Sequence, residues 1–381
     1  MYLTLNAPDL VRPVYRALAP HLSQPLERRW RLPSKRTGES LPSAVWAQIE
    51  AMETEERRQK RLHVLSALEL EAIRALRSRQ WFGLLEVFEQ RDVQAVLLWN
   101  GYRGRRGLVA QAARHVGRPV VFFERCAFPG YLQVSLDGTN ADSRHLNSDD
   151  YSNQPADPDI GPWFKSRQRQ RPRRGLGLFK APPAPLGPLP SRYIYCPLQV
   201  AADTQLSVHG AWVRDMPGFV SALVEAARDL PPEVALVFRP HPSCAVGQEA
   251  VLKLAQQHSR VLVAEGGTSA ELLAGCEALV TVNSSVGLEA FAYDKPVITL
   301  GQSFYGREGL SLQATGPDSL RGRLHDLQGQ SGFDPLKRAQ FLTWLREKGF
   351  QGWPRNARDP AAAKLAQWVE GLIRDAAADR A

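Results

Sequence analysis

"VNSSVGLEAFAYDKPVITLG", residues 282–301, is the stretch on which the fold turns. An apolar run ending at Val282 passes into Asn283, Ser284 and Ser285, then into a helix-like "VGLEAF", then into a second apolar run at 296–300. A buried strand that becomes a helix and returns as another strand is a unit of a parallel α/β sheet. The start of such a helix complements an anion, because the N–H groups of its first turn have no partners within the helix. Glu289 lies about one turn further in, where a carboxylate can accept hydrogen bonds from vicinal ribose hydroxyls.

Outward from this stretch the same alternation continues. Short apolar runs at 193–197, 234–238, 260–264 and 278–282 read as strands, and the segments at 216–229, 247–258 and 269–274 read as helices between them. Earlier in the chain, strands are predicted at 93–99 and 119–123, with a weaker one at 2–5. The helix-like "RRGLVAQAARHVG" lies between two of these, and "GYRGRRG" just ahead of it reads as a loop. The charged segment "ETEERRQKRLHVLSALELEAIRALRSR" is predicted to be helical.

"APPAPLGPLP" at 181–190 holds five prolines and reads as an extended connector. The expected organisation is therefore an α/β domain at 1–180, a linker at 181–191 and a second α/β domain at 192–350. A C-terminal helix at 351–381 is expected to cross back toward the first domain. Both domains are expected to be doubly wound and to face a cleft, with ligands beyond the carboxyl ends of the strands.

Composition narrows the class. The chain has 381 residues, 44% hydrophobic and 23% charged, with no apolar run long enough to span a membrane. Its first residues lack the basic head and apolar core of a secretory leader. Cys126, Cys196, Cys244 and Cys276 are far apart, which favours free thiols in a reducing cytoplasm over disulfides or zinc. The net charge is +9, and residues 160–202 contain no acid but do contain Lys165, Arg167, Arg169, Arg171, Arg173, Arg174, Lys180 and Arg192. Such a run fits an anionic partner or a solvated linker. No nucleic-acid-binding module accompanies it.

Three polar clusters follow strands of the second half. "CPLQVAADTQL" carries Gln199, Asp203 and Gln205; "FRPHPS" carries Arg239, His241 and Ser243; the opening stretch carries Asn283, Ser284, Ser285 and Glu289. His241 can donate to a phosphate oxygen from a backbone restricted by the prolines on either side. Phosphate and ribose contacts together indicate a nucleotide. Each residue also has a plainer reading, with Ser284 as a helix cap and His241 as a loop histidine.

Neither a P-loop nor a dinucleotide-type glycine fingerprint occurs. "DPD" at 157–159 reads as a turn, and the histidines lack ligand spacing, so no metal is expected. In the first half, Glu124 ends an apolar strand ahead of a Pro-Gly turn and then Asp137, Gly138, Thr139 and Asn140. It is a candidate general acid/base, or else an ion-pair partner for an arginine.

"FFERCAFPGYLQVSLDGTNA", "PLQVAADTQL", "FRPHPS" and "VNSSVGLEAFAYDKPVITLGQSFYG", in this order, resemble the bacterial capsule-polysaccharide synthesis family over residues 90–310. Its characterised members are retaining transferases of Kdo, 3-deoxy-manno-octulosonic acid. The stretches are also similar to bacterial sialyltransferases, which hold the CMP of their donor with an HP motif and a double serine. The resemblance implies a GT-B fold, CMP-Kdo as donor substrate, no cofactor and no metal.

By the same resemblance His241, Ser284 and Ser285 hold the donor phosphate and carboxylate, with Arg239, Asn283 and Gln199 alongside and Glu289 on the ribose. Asp203 is then the nucleophile and Glu124 the proton-handling group, following the logic of retaining glycosidases. Asn140 falls on the acceptor side, and Cys126 stands where the family pattern has glycine. One branch of the family acts on a phosphatidylglycerol-type lipid at the inner face of the membrane. That implies a cytoplasmic enzyme with a lipid or membrane-tethered glycan acceptor, peripheral at an anionic surface through residues 165–174 with Trp163 and Phe164 beside them. The competing readings are a sugar-nucleotide epimerase of the same architecture, which would bind a UDP-sugar, and a non-catalytic capsule assembly or export component.

Overall fold

Strands that are apolar on every residue can only sit inside a sheet covered on both faces. In the computed structural model, which describes residues 1–5, 11–29, 31–35, 39–61, 64–169, 185–201, 203–241, 248–264, 266–327 and 332–379, the first such sheet is built from five strands early in the chain. They are β1 (Tyr2–Leu5), β2 (Leu26–Arg29), β3 (Ala95–Trp99), β4 (Val120–Arg125) and β5 (Tyr131–Ser135), in the order β5-β4-β3-β1-β2. All pair in parallel except β5, which returns antiparallel to β4.

The period of two along the strands sorts their side chains into two layers. Ala95, Leu97, Trp99, Val121 and Phe123 share a core with Val14, Tyr15, Leu365, Ala366 and Val369, from helices Arg12–Leu18 and Pro360–Ala378. Val96, Leu98, Val120 and Phe122 face Trp46, Trp81, Leu84 and Leu108 instead, from helices Ser43–Arg61, Ala67–Gln90 and Gly104–His115.

The second sheet comprises β6 (Arg192–Pro197), β7 (Val234–Arg239), β8 (Val261–Val263), β9 (Ala278–Thr281), β10 (Val297–Thr299) and β11 (Leu312–Gln313). Its order is β11-β10-β9-β6-β7-β8, parallel throughout. One further strand, β12 (Gln351–Gly352), pairs antiparallel with β5 and so returns the chain to the first sheet. Helix Pro360–Ala378 follows and is fixed to that sheet. Trp368 Nε1 donates to the Val134 carbonyl at 3.2 Å, and the Tyr2 hydroxyl donates to Glu370 at 2.7 Å.

The chain thus divides into two units: Met1–Cys126 with Gly130–Leu146 and Lys348–Ala381, and Ala127–Pro129 with Asn147–Glu347. This moves the boundary expected at 181–191. Residues before the proline-rich stretch belong to the second unit because Tyr151 packs on Phe341 and the Asp157 carboxylate pairs with Arg346 at 2.7 Å. Residues 181–184 of the connector lie outside the described residues.

Three local expectations are corrected. "GYRGRRG" is a loop only as far as Arg103, and its remainder forms the first turn of helix Gly104–His115. The long charged segment is two helices, because Ser66 caps the second one. Its hydroxyl accepts from the Glu69 N–H, and the Glu69 carboxylate accepts from the Ser66 N–H at 2.9 Å, a reciprocal pair that starts a helix afresh. Finally, Phe164 is fully buried against Phe128, while Trp163 is covered by Arg167 and Arg346. The Phe164 ring is therefore core of the second unit, and the Trp163 ring is half-buried beside it. Lys165 lies over the Tyr293 ring, and Arg171, Arg173, Arg174 and Lys180 lie outside the described residues. Among the described residues no helix is long and apolar enough to cross a membrane.

Candidate functional site

Parallel strands place all their carboxyl ends on one edge of the sheet. β9, β6 and β7 are neighbours in the second sheet, so the loops after them meet there. Those loops carry the three polar clusters. What joins them is a chain of buried amides. Gln199 Nε2 donates to Asn283 Oδ1 at 3.0 Å, and the Asn283 backbone N–H donates back to Gln199 Oε1 at 3.2 Å. Asn283 Nδ2 reaches the carbonyls of Gln205, His209 and Gln302 at 2.8, 3.1 and 3.2 Å. Gln248, also buried, donates through Nε2 to the Gln199 carbonyl at 2.8 Å and accepts from the His241 N–H at 2.9 Å.

This latch corrects three assignments. Gln199 and Asn283 are 4% and 5% exposed, and their polar atoms are engaged with each other and with backbone. They hold the loops in register and do not present themselves to a ligand. Arg239 likewise donates to Ser269 Oγ and to the Gly267 carbonyl, both at 2.8 Å, so it fastens the turn before helix Ser269–Gly275.

The capping reading of Ser284 holds. Its hydroxyl accepts from the Val286 N–H at 3.3 Å, and its carbonyl accepts from the Tyr305 hydroxyl. Tyr305 approaches so closely that a Cβ on Gly287 would stand 2.5 Å from its oxygen, which is why glycine follows "SSV". Gly301 is needed for the same reason, since a Cβ there would stand 2.6 Å from the His209 carbonyl. Helix Ser285–Phe291 has only seven residues, so a long-helix dipole contributes little. Ser285 is exposed at its start. Glu289 is buried. Its charge reaches Tyr195, whose pKa is pushed up to about 12, first by burial and in small part by Glu289.

Asp203 caps helix Thr204–His209 by accepting from the Gln205 N–H at 2.9 Å, and it is half-buried. His241 lies within its electrostatic reach. Burial holds the His241 pKa below its ordinary 6.5, the Asp203 charge pulls it back up, and the Arg239 charge lowers it again. A histidine depressed in this way is neutral near pH 7. The unfolded chain takes up the proton first, so stability falls as pH drops below about 6.5 toward the folded value. We expect an NMR titration to show the His241 imidazole below 6.5, and added CMP to raise it, because phosphate charge favours the imidazolium. A midpoint unmoved by CMP counts against phosphate at this histidine. Ser243 lies outside the described residues.

In the first unit, Glu124 stands at the end of β4. Asn100 Nδ2 donates to its Oε2 at 2.6 Å and the Arg125 N–H to its Oε1 at 2.8 Å. Arg106 and Tyr15 lie within electrostatic reach of it. Asn100 holds a left-handed backbone at φ 62°, as does Asn140 at φ 55°. Such conformations in side-chain-bearing residues persist where the surroundings fix them. Asn140 is fixed by Gln133, which donates to its Oδ1 at 2.7 Å and accepts from its N–H at 2.8 Å. Asn100 went unnoticed in the sequence although "WNG" after an apolar strand is a positive-φ signal. Nothing in the sequence singled out Gln248.

Residues 183–325, the part of the chain that carries these loops, match the family model for capsule polysaccharide biosynthesis protein. That stretch carries the chain's likeness to the capsule polysaccharide biosynthesis family. Two relatives extend this likeness. Protein FixF of Sinorhizobium fredii is 32% identical over 254 residues, 67% of this chain and 59% of FixF. Capsule polysaccharide export protein KpsS of Escherichia coli is 27% identical over 188 residues, 46% of each. The chain thus spans about half the length of the curated relatives it matches, 59% and 46%. In fold it is similar to KpsC of Thermosulfurimonas dismutans, a beta Kdo 2,7 transferase, with a TM-score of 0.50 at 14% identity over 97% of this chain and 99% of that one. The fold class is α/β of the GT-B type, with two Rossmann-like units, each built on a mostly parallel sheet.

Proposed function

We propose that this chain is a glycosyltransferase that moves Kdo from CMP-Kdo to a lipid or membrane-tethered glycan acceptor in surface-polysaccharide synthesis. The reading is a retaining, metal-independent transfer at the inner face of the membrane. The observation that carries it is the latch in the second unit, which holds Asp203, His241 and Ser284–Ser285 at one sheet edge. A nucleotide sugar needs those groups together: hydroxyls and an imidazole for the charged part, and a carboxylate near the anomeric carbon.

In the proposed reaction a carboxylate oxygen of Asp203 attacks the anomeric carbon of Kdo. The bond to the phosphate oxygen breaks, and CMP leaves with the electron pair. An acceptor hydroxyl then attacks the same carbon, gives its proton to a general base and releases Asp203. Two inversions give retention. His241 and the serine hydroxyls lower the barrier by offsetting phosphate charge as CMP departs. Glu289 receives the ribose hydroxyls. In the first unit, Glu124, fixed by the hydrogen bond from Asn100, is the candidate proton-handling carboxylate.

The nucleotide is tested by thermal unfolding. CMP at 100 times its dissociation constant is expected to add about 2.7 kcal/mol to the stability of the folded chain, and UDP to add nothing. Protection by UDP with none by CMP would replace this reading with that of a UDP-sugar epimerase.

A further inference from the structure

Helix Gly104–His115 begins just after β3 ends, at the carboxyl edge of the first sheet, and its first turn is basic. Arg105 and Arg106 stand in that turn, no acidic residue does, and Arg103 ahead of it supplies no side-chain cap. Positive charge at this end of a helix opposes the helix dipole, which favours an anion there. Arg106 reaches back to the sheet, where its Nη1 donates to the Trp99 carbonyl at 3.4 Å. Among the described residues that long bond is the only one its guanidinium makes, and it forms no ion pair.

A guanidinium carries five N–H donors in a planar fork, and a half-buried one has lost part of the water that would satisfy them. Burial accordingly holds the Arg106 pKa below its ordinary value, and the neighbouring Tyr15 and Glu124 offset this only in part. Neither carboxylate within reach closes on it. Glu124 accepts from Asn100 Nδ2 and from the Arg125 N–H, and Glu56, which approaches Gly104, acts on Arg106 more weakly than Glu124 does. Tyr15, on helix Arg12–Leu18, has a buried hydroxyl that also lacks a hydrogen-bond partner among the described residues. Two donors at one sheet edge, one of them charged, are thus short of an acceptor. Ligands of α/β sheets bind at that edge.

We propose that Arg106 is an anion-binding residue of the first unit, whose guanidinium takes a carboxylate or phosphate group beside Glu124. If the chain is a transferase, the anion is borne by the acceptor, and the hydroxyl that receives the sugar lies a few bonds from a negative charge. That last step rests on the proposed function, and the site itself does not. In NMR titrations of the full chain, sn-glycerol 3-phosphate or glucuronate is expected to bind more tightly than the neutral glycerol and glucose, and to move the Arg106 Nε–H resonance. The phosphate probe stands for a lipid headgroup and glucuronate for a sugar acid, so the tighter of the two gives the source of the charge. Arg106→Gln is expected to weaken binding of that probe about 10- to 100-fold, the scale of hydrogen bonds between charged groups. Arg106→Lys is expected to recover part of the loss, because lysine keeps the charge without the fork. Equal binding of charged and neutral probes overturns the proposal. So does a charged probe that binds Arg106→Gln as well as wild type, which places the anion elsewhere. If the glutamine variant is misfolded, the resonance decides: an Arg106 Nε–H unmoved by both charged probes overturns the proposal. A chain that binds a charged probe through Arg106 but transfers no Kdo keeps this site and loses the transferase reading.

Discussion

Asp203→Ala is expected to abolish Kdo transfer, by a factor on the order of 10^4 or more, the scale reached when a covalent nucleophile is removed. Incubated with CMP-Kdo, the wild-type chain is expected to gain the mass of one Kdo unit and the variant none. Asp203 also caps helix Thr204–His209 through the Gln205 N–H, so alanine is expected to cost about 1 kcal/mol of stability for that reason alone. Asp203→Asn separates the two roles. Asparagine keeps an oxygen to accept from Gln205 and caps as well as aspartate, but it cannot attack the anomeric carbon. Its stability should match wild type while its transfer is lost as completely as in the alanine variant. Both changes remove a negative charge that pulls the His241 pKa upward, so the imidazole midpoint should move further below 6.5 in each. That shift shows the loop still folded around the altered position. Equal labelling of wild type and Asp203→Ala would exclude Asp203 as the nucleophile.

Most of the sheet architecture was legible because parallel strands buried on both faces are simply apolar runs. "AVLLW", "VVFF" and "ALVT" carry the signal whole, and helix boundaries were readable wherever a cap marked them, as at Thr268 and Asp215. The strand "LERR" of β2 was not legible, since three of its four residues are charged and it forms the exposed edge beside β1. Nor was β5, whose "YLQVS" alternates too briefly to stand out after a Pro-Gly turn.

At the candidate site the sequence located the right loops but could not distinguish a polar residue facing a ligand from one facing another loop. Gln199 and Asn283 have the chemistry of ligand contacts. Only the fold reveals that each is the other's partner, because the residues are 84 positions apart. Gln248 illustrates the limit more sharply. A glutamine at the start of a helix is unremarked in sequence, yet it is the bridge between the loop of His241 and the loop of Gln199. The domain boundary failed for a related reason: aromatic packing by Tyr151 and Phe164 outweighs the composition of the connector that follows.

The latch has a stability consequence larger than that of any residue proposed to touch the donor. Asn283→Ala is expected to destabilise the second unit by about 3 kcal/mol, since it removes the Nδ2 donor that ties together the carbonyls of Gln205, His209 and Gln302 and leaves the buried amide of Gln199 without its acceptor. The urea midpoint should fall with little change in slope, because the surface exposed on unfolding is unchanged. Asn283→Asp should be at least as costly although it is nearly isosteric. A carboxylate in place of Nδ2 would face carbonyl oxygens at about 3 Å and must either bury a repelled charge or take up a proton. Ser285→Ala provides the contrast: the residue is exposed, so its change in stability should stay within about 0.5 kcal/mol while CMP protection weakens. If Asn283→Ala unfolds at the wild-type urea concentration, the amide chain contributes nothing to the fold, and the loops after β6, β7 and β9 must be held by other contacts. If instead stability falls and CMP protection falls with it, while Ser285→Ala loses protection alone, the buried amides act by positioning the groups that meet the nucleotide.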